Sequence, residues 1–259
     1  MANDNRSKKS RSGKPRSEKI PIFRLLAALI VPPMNVLGRY RIHQGEYLPQ
    51  TGPVVVAPNH FSEIDPLVIG LTIWRLGRAP RYLGKASLFR IPVFGWLLRK
   101  SGQIPVERAG ARGADPLAAA NQLVENNLVV VVYPEGTLTR DPDLWPMRGK
   151  TGAVRLALTA GVPLIPVAQW GTQKIMPRYG KRLSLFPRKE VNIKFGPPID
   201  LSAFEGRPLN AAVFTEATEL LMEAITGLLA ELREETPPKE RWDPAKKGQA
   251  EIGRFEERS

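Results

Sequence analysis

Pro53-Val-Val-Val-Ala57, followed at once by Pro58-Asn-His60, is the stretch that decides the fold. A short β-branched run without polar alternation reads as a strand buried on both faces, and such strands belong to largely parallel sheets covered by helices. Two further runs share the pattern, Leu128-Val-Val-Val-Val-Tyr133 and Val162-Pro-Leu-Ile-Pro-Val-Ala168. Val191-Asn-Ile-Lys-Phe195 alternates and reads as a strand near an edge. Helical patterns separate these runs. Residues 115–127 open on Asp115-Pro116 and place Leu117, Ala120 and Val124 on one face. Residues 151–160 run from Thr151 to a stop at Gly161. Residues 209–232 align Phe214, Ala217, Leu221, Ala224, Leu228 and Leu232 in one stripe. The alternation predicts an α/β fold: a mixed, largely parallel central sheet flanked by helices. Ligands of such sheets collect beyond the carboxyl ends of the strands, which selects the loops Pro58-Asn-His60, Pro134-Glu-Gly-Thr137 and Gln169-Trp-Gly171.

The chain has 259 residues, 42% of them hydrophobic, enough for one folded domain over residues 39–232. Residues 1–19 read as a basic disordered tail, 20–38 as a membrane-associating helical segment, and 233–259 as a charged tail expected to be disordered. The absence of cysteine excludes disulfides, thiolate metal sites and a cysteine nucleophile, and no metal is expected. The net charge is +13, concentrated at the start: residues 1–24 carry eight basic side chains against two acidic ones. A tail this basic attracts polyanions, either nucleic acid or anionic lipid headgroups.

The apolar segment from Ile20 to Val31 is interrupted by Pro21 and Arg24 and ended by Pro32-Pro33. It is too short to cross a bilayer and unlike a secretory signal, so it reads as an interfacial or re-entrant helix, or as one packed on the protein's own core. Leu88-Phe-Arg-Ile-Pro-Val-Phe-Gly-Trp-Leu-Leu98 is equally apolar. It fits an acyl-chain mouth dipping into lipid, with Trp96 at the interface, or core packing. Arg178, Lys181, Arg182, Arg188 and Lys189 could face anionic headgroups, a donor's phosphates or solvent.

Only two histidines exist, His43 and His60, and His60 follows a buried strand within Asn59-His-Phe-Ser-Glu-Ile-Asp65. An imidazole titrates near neutrality, and a carboxylate on its other ring nitrogen fixes the tautomer and stabilises the imidazolium. Asp65 is the obvious carboxylate, with Glu63 a rival. Five residues of straight helix subtend about 500°, so His60 and Asp65 meet only if His60 sits in the turn before the helix and folds back. Ser62 could cap that helix. So could Asp65, with Pro66 in the first helical position.

Asn59-His60-x4-Asp65 resembles the first motif of the glycerolipid acyltransferases, and further motifs follow in order across residues 35–205. Lys85, Pro92, Gly95 and Gly102-Gln-Ile-Pro-Val-Glu-Arg108 resemble the second; Pro134-Glu-Gly-Thr-Leu138 the third, with leucine where the family usually has arginine; Val162-Pro-Leu-Ile-Pro166 the fourth. The set is similar to that of the 1-acylglycerol-3-phosphate acyltransferase family, which makes residues 39–232 an acyltransferase domain. The resemblance implies a fatty acyl group moving from acyl-CoA or acyl-carrier protein to the hydroxyl of 1-acylglycerol-3-phosphate, giving phosphatidic acid, with no cofactor beyond the co-substrate. It implies His60 as general base oriented by Asp65, and Lys85, Arg108, Glu135, Gly136, Thr137 and Arg140 at the substrate, Arg140 as candidate replacement for the arginine absent at Leu138. Glu135 would order its loop or an arginine, since a free carboxylate repels phosphate. Backbone amides around Gly136-Thr137 are candidates for oxyanion stabilisation.

The expected location is the cytoplasmic face of the cell membrane, peripheral or monotopic. Glycerol-3-phosphate or another lysophospholipid remains an alternative acceptor. A non-catalytic membrane scaffold or nucleic-acid-binding protein is the rival class, suggested by a pI near 10.2. Against nucleic acid, the aromatic residues cluster with aliphatic ones instead of interleaving with basic ones, and no nucleic-acid motif is present.

Overall fold

The computed structural model describes residues 21–106 and 116–250. Helix α1 (Pro21–Leu37) leads into strand β1 (Gly38–His43), followed by β2 (Val54–Pro58), α2 (Asp65–Arg75), β3 (Pro80–Lys85), α3 (Pro92–Lys100) and β4 (Ile104–Val106). After these come α4 (Pro116–Glu125), β5 (Val129–Val131), α5 (Gly152–Ala160), β6 (Leu164–Trp170), α6 (Thr172–Ile175), β7 (Lys189–Phe195) and α7 (Ala211–Arg233). The strands form one sheet in the order β1-β7-β6-β2-β5-β3-β4. The β6–β7 pair is antiparallel and every other pair parallel, so the sheet is mixed and largely parallel, as the sequence predicts.

The uninterrupted valine runs are explained by burial on both faces. Val55, Ala57, Val130 and Leu164 pack with α4, α5 and α7, whereas Val54, Val56, Val129, Val131 and Ile165 pack with α1 and α2. The result is a three-layer sandwich, and each fully buried aliphatic side chain contributes roughly 1.5–3 kcal/mol.

Three strands carry no apolar run and were not legible. β1 (Gly-Arg-Tyr-Arg-Ile-His) is one edge, and β4, which contains Pro105, is the other. A proline is tolerated there because an edge strand leaves one row of backbone donors unpaired. β3 lies beside β4 and carries Arg81.

The helices fall where expected, with corrections to their faces. α4 buries Ala120 and Leu123, leaving Leu117 and Val124 exposed, so its inner face is rotated from the one the spacing suggests. α7 buries a broader stripe that adds Val213, Thr218, Met222, Ile225 and Leu229. Gly161 ends α5 at φ 62°, the left-handed conformation for which glycine is the default residue.

α1 does not stop at Pro32-Pro33 but continues to Leu37 with both prolines inside. An interior proline costs about 3 kcal/mol. Here Met34 and Leu37 are buried in the core beyond them. The tail also differs from expectation, because residues 234–250 lie against the domain. The Arg148 N–H donates to the Trp242 carbonyl at 2.8 Å, Arg148 pairs with Asp243 at 3.3 Å, and Arg241 pairs with Glu219. These anchors are polar and backbone groups, which a count of apolar residues misses. The expectations for residues 1–19 and 251–259 lie outside the described residues.

Candidate active site

The site is built where β2, β5 and β6 end side by side. A cavity of about 830 Å³ opens there, lined by His60 after β2, by Tyr133, Gly136, Thr137 and Leu138 after β5, and by Lys150 before α5. Met176 and Tyr179, after β6, close another side.

His60 sits in the turn ahead of α2, and Asp65 is the first residue of that helix, so the ring can fold back. Its Nδ1 lies 3.0 Å from Asp65 Oδ2. The same Oδ2 accepts the backbone N–H groups of Phe61 and Ser62, both at 2.8 Å, while Oδ1 accepts the Thr172 hydroxyl at 2.6 Å. Asp65 therefore braces the turn before α2 and fixes the ring, and the cap reading is corrected: the residue flanking the helix is Ile64, and the Asp65 carboxylate accepts from no N–H of α2. Ser62 instead donates to the Met176 carbonyl at 2.7 Å. Glu63 lines the cavity, but Asp65 is the carboxylate on the imidazole.

Two further contacts hold His60. Its backbone N–H donates to Glu135 Oε1 at 2.8 Å, while Oε2 accepts the Met147 N–H at 3.1 Å. Glu135 is fully buried and orders the two loops around His60, as the loop-holding expectation had it. Burial pushes its carboxyl up to about 8, against the opposing pull of the hydrogen bonds from Met147, His60 and Thr139. The Tyr133 ring stacks on the imidazole, centroids 4.1 Å apart and planes 28° apart. Burial raises the Tyr133 phenol well above its ordinary value, with the neighbouring Tyr82 and Asp65 adding to the shift.

Behind the histidine, Asn59 and Gln169 exchange hydrogen bonds. The Gln169 N–H donates to Asn59 Oδ1 at 2.8 Å, and Asn59 Nδ2 donates to the Gln169 carbonyl at 3.2 Å. The carboxyl end of β6 thus supports the loop after β2, beside the Pro134-Glu-Gly-Thr137 loop that Glu135 ties to His60.

The other sequence-derived residues divide. Gly136 and Thr137 line the cavity. Gly136 has φ 71°, and a Cβ there would stand 3.1 Å from Lys150 Cδ, so glycine is favoured at this position. Arg140 is 4% exposed and is not among the residues lining the cavity. The reason is that the chain turns inward after Leu138: the Thr139 N–H donates to the His60 carbonyl at 2.7 Å and the Thr139 hydroxyl to the Trp145 carbonyl at 2.6 Å. Lys85 ends β3, next to cavity-lining Tyr82 and Leu83, but its side chain lies outside the described set. Arg108 lies outside the described residues altogether.

Arg178 is a staple and not a surface charge: it donates to the carbonyls of Thr139 and Asp141 at 2.9 and 2.6 Å. Arg188 donates to the Gly38 carbonyl at 3.0 Å. Sequence reasoning missed Tyr133 and Lys150. Tyr133 adjoins Pro134-Glu-Gly and could have been found by that adjacency; Lys150 carries no local signal.

An imidazole with one nitrogen engaged by a buried carboxylate, at the wall of a cavity that can hold a substrate, is an arrangement able to act as a general base. Comparisons with known proteins agree with this geometry. The family model described as Acyltransferase matches residues 39–170, which hold every element of the site up to β6. A chloroplastic 1-acyl-sn-glycerol-3-phosphate acyltransferase of Brassica napus is 37% identical over 134 residues, covering 51% of this chain and 37% of that one. A 1-acyl-sn-glycerol-3-phosphate acyltransferase of Haemophilus influenzae is 30% identical over 179 residues, covering 68% of this chain and 69% of that one. The crystal structure of a 1-acyl-sn-glycerophosphate acyltransferase from Thermotoga maritima shares the fold, with a TM-score of 0.63, 22% identity, and 84% and 83% of the two chains covered. The chain spans less than half the length of the Brassica relative, and likewise of a similar one from Arabidopsis thaliana. With the family model covering half the chain around this site, the chain belongs to the acyltransferase family.

Proposed function

We propose that the chain transfers a fatty acyl group from acyl-CoA or acyl-carrier protein to the free hydroxyl of 1-acylglycerol-3-phosphate, giving phosphatidic acid in phospholipid synthesis. The observation that carries the reading is His60 Nδ1 held 3.0 Å from buried Asp65 at the wall of the cavity. With the Nδ1 proton directed at Asp65, the other ring nitrogen takes the acceptor's hydroxyl proton as its oxygen attacks the thioester carbonyl. The tetrahedral intermediate collapses, the C–S bond breaks, and the imidazolium returns the proton to the leaving thiolate. No acyl-enzyme is needed, so initial-velocity lines should intersect, as for a ternary complex. The Gly136 N–H already donates to the Tyr133 carbonyl at 3.1 Å, so of this turn Thr137, which lines the cavity, is the proposed oxyanion donor.

The lipid surface enters through two exposed apolar faces. Leu25, Leu29 and Val36 lie outward on α1, and Leu88, Ile91, Val93, Phe94 and Trp96 lie outward on and just before α3. Among the described residues no helix is long and apolar enough to cross a membrane, so these faces fit a helix lying in the interface.

The test is turnover of purified protein with palmitoyl-CoA and 1-acylglycerol-3-phosphate. His60→Ala should keep its melting curve and lose about 10²–10⁴-fold in kcat. Asp65→Asn should lose comparably, because an amide can hold the wrong tautomer. Full activity in His60→Ala would sink the mechanism.

A further inference from the structure

An anionic headgroup needs cations beside the base, and the one motif cation whose side chain is among the described residues, Arg140, is buried. The wall position after Thr137 is filled by Leu138, and Arg140 is buried behind it. Among the described residues the cationic side chains lining the cavity are Lys150 and Lys181.

Each is held by the site's own loops. The Lys150 N–H donates to the Pro134 carbonyl at 2.7 Å, and its side chain crosses Gly136, where an added Cβ would stand 3.1 Å from Cδ. Lys181 belongs to the loop after α6, which Arg178 fastens to the Thr139 and Asp141 carbonyls just past Leu138. Glu63 also lines the cavity and opposes any anion there, so one lysine would only offset it and the second gives the excess. A phosphomonoester carries about −1.5 to −2 charges near pH 7, which two three-donor ammonium groups suit.

We propose that Lys150 and Lys181 form the subsite for the acceptor's phosphomonoester, with Arg178 positioning the Lys181 loop. This rests on the acceptor proposed above. A thioester donor also carries phosphates, but they sit a whole pantetheine arm from the reacting carbonyl. The acceptor's phosphate is only a few bonds from the hydroxyl that His60 must meet, and both lysines share His60's cavity.

The test uses Lys150→Met, Lys181→Met and Lys150→Arg, each checked by its melting curve. Calorimetric titration with glycerol 3-phosphate reads the headgroup alone. Kinetics with palmitoyl-CoA and 1-acylglycerol-3-phosphate read acceptor and donor KM separately. Each methionine variant should weaken glycerol 3-phosphate binding and raise the acceptor KM by tenfold or more, with the donor KM unchanged, and Lys150→Arg should recover most of the loss. Binding and acceptor KM within twofold of wild type in folded methionine variants overturns the proposal. So does a rise confined to the donor KM, which would assign the lysines to the donor's phosphates. If wild type binds glycerol 3-phosphate through these lysines yet acylates no lysophosphatidate, the subsite stands and the proposed function falls.

Discussion

At the scale of single residues, the centre of the molecule is one imidazole held on three sides. Asp65 fixes its nitrogen, Glu135 its backbone and Tyr133 its plane. The Tyr133 hydroxyl is buried and makes no hydrogen bond among the described residues, so its value lies in the ring. Tyr133→Phe should keep kcat and melt no lower than wild type, because deleting an unpaired buried hydroxyl removes a desolvation cost. Tyr133→Leu should lower kcat about tenfold, since a 1 Å misplacement near the reacting atoms can cost up to about 10²-fold. Equal kcat for the phenylalanine and leucine variants would show that stacking is irrelevant. His60 and Asp65 were legible because spacing permits their contact, yet spacing could not separate a cap from an orienting carboxylate. The fold separates them: Asp65 is the first helical residue, and its carboxylate accepts from His60, from the turn before the helix and from Thr172, which no one-dimensional pattern encodes.

At the scale of elements, what sets this chain apart is the apolar surface it leaves uncovered. α3 turns Val93 and Trp96 outward at 80% and 51% exposure, with Gly95 facing in and Phe89 buried in the turn before it. Core packing is thereby excluded for the exposed residues, and the proposed lipid-facing role of α3 follows from that exposure. Val93→Asp combined with Trp96→Asp should leave the melting curve unchanged and cut co-sedimentation with phosphatidylglycerol vesicles several-fold. Unchanged sedimentation would remove α3 from the membrane face. The elements also explain how distant parts hold the site. Arg233, in the last turn of α7, lies between the Trp145 and Trp170 rings at 4.1 and 4.4 Å, tying that helix to the loop behind Glu135. The buried strands could be read from their runs, while β1, β3 and β4 could not, because edge strands and their neighbours need no continuous apolar face.

At the scale of the whole molecule, a buried carboxyl couples the site to stability. The folded chain holds the Glu135 proton more tightly than the unfolded chain, since its carboxyl is pushed from 4.5 up to about 8. The stability this gives is fully present below about pH 4.5 and is lost as pH rises through about 8. Wild-type melting temperature should therefore fall between about pH 5 and 8, and Glu135→Gln, which cannot ionise, should flatten that slope. Identical slopes by circular dichroism would show that Glu135 does not titrate in this window. The sequence by itself determined the layered α/β architecture, the meeting of the loops after β2 and β5, and His60 with Asp65. Hydrophobic runs and motif order are local properties, and they survive being read in one dimension. Only the tertiary structure decided that Glu135 braces the histidine through its backbone, that Arg140 is withdrawn, and that Lys150 and Lys181 stand in the cavity. Those outcomes depend on which way a loop turns after Leu138, and that is set by hydrogen bonds from Thr139 and Arg178 to partners distant in sequence.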